Sequence, residues 1–119
     1  MTRVELIDYC MTFPSAYEDY PFGGIVDDNA WTVIRHSVNK KSFAFIYERH
    51  SKLCVNLKCE PNEADILRHI YADVTPVYHM NKEHWNTAII GGDVPETALY
   101  EMIQHSYDLI KPKVRKSKC

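Results

Sequence analysis

Apolar positions recur along this chain with two different periods, and the switches between them divide it into elements. Val4, Ile7 and Met11, with Leu6 and Cys10 beside them, follow helical spacing behind Thr2-Arg3-Val4-Glu5. That opening is a capping box, in which the Thr hydroxyl and the Glu carboxylate each satisfy an orphan backbone donor, and Pro14 ends the helix. Residues 14–24 are punctuated by proline and glycine and read as a loop or an edge strand. The period then shortens to two. Residues 31–36, 43–47 and 53–57 are rich in aromatic and β-branched side chains and are separated by polar tips, so they read as an antiparallel meander. In the last of these, Leu53, Val55 and Leu57 share one face, the core side, while Cys54, Asn56 and Lys58 share the wetter one.

Pro61 suits a first helical position, and Ala64, Leu67, Ile70 and Tyr71 give a second helix an apolar side reaching to about residue 72. Residues 74–80 read as a strand, 81–84 as a turn and 85–90 as the return strand, closed by Gly91-Gly92-Asp93. In the return strand Trp85, Thr87 and Ile89 face one way and Asn86, Ala88 and Ile90 the other, with Trp85 anchoring the hairpin. Asp93-Val94-Pro95-Glu96 looks like another capped helix start, and Leu99, Met102, Ile103, Ser106, Tyr107 and Ile110 make the buried stripe behind it. This order predicts an α+β fold: one antiparallel β-sheet with N-terminal, middle and C-terminal helices packed on it, in a single domain over residues 1–112. Residues 113–119 form a basic, frayed tail.

Composition narrows the class. With 119 residues and 45% hydrophobic content, the chain suffices for one core. No apolar run approaches the roughly 20 residues of a membrane span, and no secretory signal pattern opens the chain, so a cytoplasmic location and no membrane partner are expected. The cysteines at 10, 54, 59 and 119 lack CxxC spacing and read as reduced thiols. A metal site on Cys54 and Cys59 would need two further ligands, and an inert buried thiol is the favoured reading. The net charge of -2 hides a strong asymmetry. Residues 35–58 carry a net +5, residues 106–119 a net +4, and residues 59–101 are acidic, so the surface is expected to be electrostatically two-sided.

The densest polar and aromatic cluster is the run from Thr75 to Thr87, which holds Tyr78, His79, Asn81, Lys82, His84, Trp85 and Asn86. Its favoured structural reading puts Tyr78, Met80 and Trp85 in the core, with Asn81 turning the chain and both histidines bonding to backbone. A metal held by His79, His84 and an acid would require a tight turn. Glu18 and Asp19 are adjacent in an extended segment and point to opposite faces, which argues against an acid–base pair. No nucleophile signature appears, and neither a catalytic residue, a cofactor nor a resident metal is expected.

Pro14, Tyr17-Glu18, Pro21-Phe22-Gly23, Leu57-Lys58-Cys59-Glu60-Pro61, Thr75-Pro76, Tyr78-His79-Met80-Asn81-Lys82, His84-Trp85-Asn86-Thr87 and Ser106-Tyr107-Asp108-Leu109 together resemble the MmcQ/YjbR-like family over nearly the whole chain. The resemblance implies a bacterial protein with a double-wing, frataxin-like (CyaY-like) topology and a DNA-binding assignment that comes largely from fold. On that reading Arg35, Lys40, Lys41, Arg49 and Lys52 on the hairpin wings contact phosphates of double-stranded DNA, and His79, Asn81, Lys82 and His84 approach the bases. Five phosphate contacts would give a log affinity against log salt slope of about -4 to -5. The rival is a non-enzymatic protein-binding module with no nucleic-acid role, its acidic second helix and basic sheet edge acting as docking surfaces. A monomer is expected.

Overall fold

Thr2 Oγ1 accepts a hydrogen bond from the Glu5 backbone N–H at 3.2 Å, and Glu5 Oε1 accepts one from the Thr2 N–H at 2.8 Å. This reciprocal pair opens α1 (Arg3–Met11). The computed structural model describes residues 1–21, 31–77 and 80–113. After α1 come β1 (Ala16–Asp19), β2 (Thr32–His36), β3 (Ser42–Arg49), β4 (Lys52–Lys58), α2 (Pro61–Ile70), β5 (Val74–Pro76), β6 (Trp85–Ile89) and α3 (Glu96–Ile110). The strands form one six-stranded sheet in the order β1-β2-β3-β4-β6-β5, antiparallel throughout. The α+β architecture expected from the pattern is the one observed, with β1 at one edge of the sheet and β5 at the other.

All three helices lie on one face. Leu6 and Cys10 of α1 and Leu99, Met102, Ile103, Tyr107 and Ile110 of α3 pack on Ile34, Phe43, Ala44, Ile46, Val55, Leu57 and Ala88. Each fully buried Leu or Ile there contributes about 2 kcal/mol by leaving water. A bulge enlarges this core. Ile34 pairs with Ala44 and Arg35 with Ser42, so Phe43 is the extra residue of β3, and both Phe43 and Ala44 reach the helix side. The six-residue stripe of α3 is buried as its spacing predicts. Ser106 Oγ sits within it, donating to Phe43 O at 2.6 Å and accepting from Lys58 N–H at 2.9 Å, so a polar side chain ties α3 to two strands.

Several expectations are corrected. Val4 is 66% exposed, because Leu6 and Cys10 carry the buried side of α1. Ile70 is 60% exposed and α2 stops there, with Tyr71 as its C-cap. Of the strand expected over 74–80, β5 covers Val74–Pro76, Val77 and Met80 lie outside it, and residues 78–79 lie outside the described residues. Asp93 does not cap α3, whose N-cap is Pro95. Its carboxylate instead accepts from the Ala72 and Asp73 N–H groups, while Asp73 Oδ2 accepts from Asp93 N–H, a clamp holding the entry to β5. The wetter face assigned to β4 is buried at Cys54 and Asn56. Among the described residues no helix is long and apolar enough to cross a membrane. Residues 114–119 of the expected tail lie outside the described residues.

Candidate functional site on the second face of the sheet

Side chains that alternate away from the helices meet on the other face of the sheet. Register brings them together: Tyr47 pairs with Cys54, Phe45 with Asn56, Asn56 with Thr87 and Cys54 with Ile89. They floor a groove of about 930 Å³, walled by Trp31 on one side and by Thr75, Pro76, Val77 and Met80 on the other. Trp31 stacks on Tyr47 at 4.0 Å between ring centroids with planes 6° apart, and Phe45 stands edge-on to Trp31 and to Trp85.

Polar groups on the floor are few and fixed. Asn56 is 1% exposed, and its Oδ1 accepts from the Tyr47 hydroxyl at 2.8 Å and from the Thr87 hydroxyl at 2.7 Å. Burial raises the Tyr47 pKa, so the phenol stays protonated and keeps donating at neutral pH. Burial likewise raises the Cys54 thiol, with Arg49 and Lys52 pulling the other way, and the unreactive thiol form predominates.

One end of the groove is basic. Arg49, His50 and Lys52 line it, with Glu48 the carboxylate among the lining residues. Arg49 and Lys52 are paired across the end of β3 and β4, and His50 and Ser51 between them both have positive φ, 53° and 63°. Two successive left-handed residues match the type I′ hairpin turn, here formed without the Asn-Gly that suits it, and such strain is worth about 1–2 kcal/mol per residue.

The expected contact residues therefore divide. Lys40 and Lys41 occupy the β2–β3 tip, and β3 is eight residues long, so that tip lies about 25 Å from Arg49 and Lys52. It is also tied down. Asn39 Nδ2 donates to Ile110 O at 2.7 Å, fixing the tip to the end of α3, and Lys40 Nζ sits 5.2 Å over the Tyr17 ring. Arg35 is engaged by Asp19 at 2.7 Å, by Ser42 Oγ and by Lys40 O, which uses the guanidinium internally. Glu18 and Asp19 do diverge, Glu18 accepting from the Tyr20 hydroxyl.

The central turn stands at the Lys58 end of the sheet, since Trp85 pairs with Lys58. Asn81 Oδ1 accepts from Glu83 N–H at 3.0 Å, so Asn81 turns the chain. Lys82 is exposed and His84 half-buried, and the His84 carbonyl accepts from Cys59 N–H. His79, with Tyr78, Phe22 and Gly23, lies outside the described residues. Arg68 organises this turn from α2, donating to Asn86 Oδ1 at 2.6 Å and to the Trp85 and Lys82 carbonyls. Nothing in the spacing of α2 marks Arg68 out. The groove residues had one faint signal, the Asn56 amide at period two with Cys54 on the face of β4 assigned to water.

Cys10, Cys54 and Cys59 are buried free thiols, and burial pushes Cys10 up to about 12 and Cys59 up to about 11. Among the described residues no group of three or more His, Cys, Asp or Glu converges in metal-binding geometry.

Comparison with known proteins places this geometry in a family. The YjbR family model matches residues 11–109. Escherichia coli YjbR is 34% identical over 107 residues, covering 90% of this chain and 85% of its own length. Bacillus subtilis YyaQ is 29% identical over 121 residues, covering 93% and 99%. A crystal structure of a Pseudomonas syringae protein superposes with a TM-score of 0.79 at 28% identity, covering 93% of this chain and all of the other. A Deinococcus radiodurans protein gives 0.77 at 28% identity over 92% of this chain and 78% of its own.

Proposed function

The chain belongs to the YjbR family, and from that premise and the chemistry of the groove we propose that it binds DNA through the second face of its sheet. The observation that carries the reading is that Arg49, His50 and Lys52 line the same groove as Trp31, Phe45 and Tyr47. Cations beside flat rings form a combination suited to nucleic acid, phosphate attraction supplying affinity and ring contact supplying a place for bases. The wings do not act together in this mechanism. Only the β3–β4 tip serves the groove, and the Lys40–Lys41 tip and Arg35 are occupied elsewhere.

Two phosphate contacts, in place of five, lower the expected salt slope to about -1.4 on a single strand or -1.8 on a duplex. Fluorescence anisotropy of a labelled oligonucleotide across a salt series measures it. Arg49→Ala/Lys52→Ala should flatten the response, and Lys40→Ala/Lys41→Ala should leave it as it was. Retained binding in the first variant with loss in the second would refute this placement. Buried, reduced thiols support a cytoplasmic setting for this activity.

A second reading, docking of a partner protein, has one observation behind it. Ile66 and Ile70 are 50% and 60% exposed and stand one turn apart on α2, beside Glu63 and Asp65. A partner retained after nuclease treatment and released by Ile66→Glu/Ile70→Glu would favour it.

A further inference from the structure

We propose that the groove seats an unpaired nucleobase, so that the preferred ligand is single-stranded DNA and not a duplex. This rests on the DNA-binding reading above and names the form of nucleic acid it requires. In a duplex the faces of the bases are covered by their neighbours and only the edges are presented in the grooves. A concave surface lined by the rings of Trp31, itself stacked on Tyr47, and Phe45 offers what a base edge cannot use and a base face can.

Size and polarity agree with this. A cavity of about 930 Å³ falls within the range that encloses small organic ligands, room enough for a base with its sugar. The lining is dominated by Trp31, Phe45, Pro76, Val77, Met80 and Ile89, so the body of the ligand is apolar and flat. Its charge belongs at one end, where Arg49 and Lys52 meet across the strained His50–Ser51 turn. A nucleotide has that layout, a flat ring at one end and an anion at the other.

The floor supplies orientation. Tyr47 and Thr87 each direct the hydroxyl proton to Asn56 Oδ1, so their oxygens keep lone pairs while the amide is held in one rotamer. The three residues come from β3, β4 and β6, and no one of them can shift without disturbing the others.

The experiment titrates the full chain with a labelled single-stranded oligonucleotide, with its duplex and with deoxyadenosine monophosphate, following anisotropy and tryptophan fluorescence. Trp31 lines the groove and is one of two tryptophans. The proposal expects the single strand to bind at least about tenfold tighter than the duplex, with tryptophan fluorescence changing as it binds and the monophosphate competing. Arg49→Ala/Lys52→Ala, on exposed positions, should weaken the single strand about tenfold, and Trp31→Phe should retain folding while reducing the fluorescence response. A duplex bound as tightly as the single strand would overturn the base-in-groove proposal and leave DNA binding standing. Single-strand binding with unchanged tryptophan fluorescence would overturn it as well, by placing the strand elsewhere. Binding of neither form would remove both readings.

Discussion

On the helix side of the sheet, Ile34, Ile46, Val55 and Ala88 are sealed beneath α1 and α3 in a cluster of buried apolar side chains. On the opposite side Tyr47, Cys54 and Asn56 are nearly as inaccessible, yet the atoms they bury include an amide and two hydroxyl partners, and the surface above them is a groove. The same burial serves different ends. The helix side holds the protein together by excluding water from apolar area, and the second side spends its burial on fixing polar groups at the bottom of an opening.

The largest expected effect breaks the helix side alone. Ile103→Ala should lower the unfolding free energy by about 3–4 kcal/mol in urea denaturation, because α3 cannot collapse into the space left above the sheet, while oligonucleotide affinity of the folded fraction stays unchanged. Asn56→Ala comes next and should affect both properties. The buried Tyr47 hydroxyl and the half-buried Thr87 hydroxyl lose their acceptor, so stability falls by about 2 kcal/mol, and the groove floor loses its orientation and ligand affinity with it. If affinity were unaffected, the floor would be merely structural.

Arg49→Ala/Lys52→Ala should separate the faces in the other direction. Affinity drops about tenfold while denaturation midpoints move by no more than about 0.5 kcal/mol, as expected of exposed charges. The smallest change concerns the turn. His50→Asn/Ser51→Gly should raise stability by about 1 kcal/mol by relieving two left-handed residues, read by thermal unfolding. Reduced DNA affinity in that stabilised variant would show that the His50 ring contributes at the groove mouth.

The helix side was legible in advance and the groove was not. Leu99, Met102, Ile103, Ser106, Tyr107 and Ile110 recur at helical spacing along one segment, so their common face follows from geometry within fifteen residues. The capping box at Thr2 and Glu5 is equally local. Asp93 shows the limit of such signatures: it stands where a cap would, and clamps Ala72 and Asp73 instead. The basic block over 35–58 is divided for a similar reason. Its residues are close in sequence, but consecutive hairpin tips point to opposite ends of a sheet, so closeness along the chain separates Lys40 and Lys41 from Arg49 and Lys52.

What the amino-acid order determined by itself is the set of elements, their periods and the apolar stripes that must be covered, since these depend on contacts a few residues apart. What only the tertiary structure decided is the pairing of β4 with β6 across the α2–β5 connection, which carries Thr87 to Asn56 and closes the groove floor. Register between strands separated by some thirty residues is fixed by the packing of the whole sheet against its helices, and no local pattern encodes it.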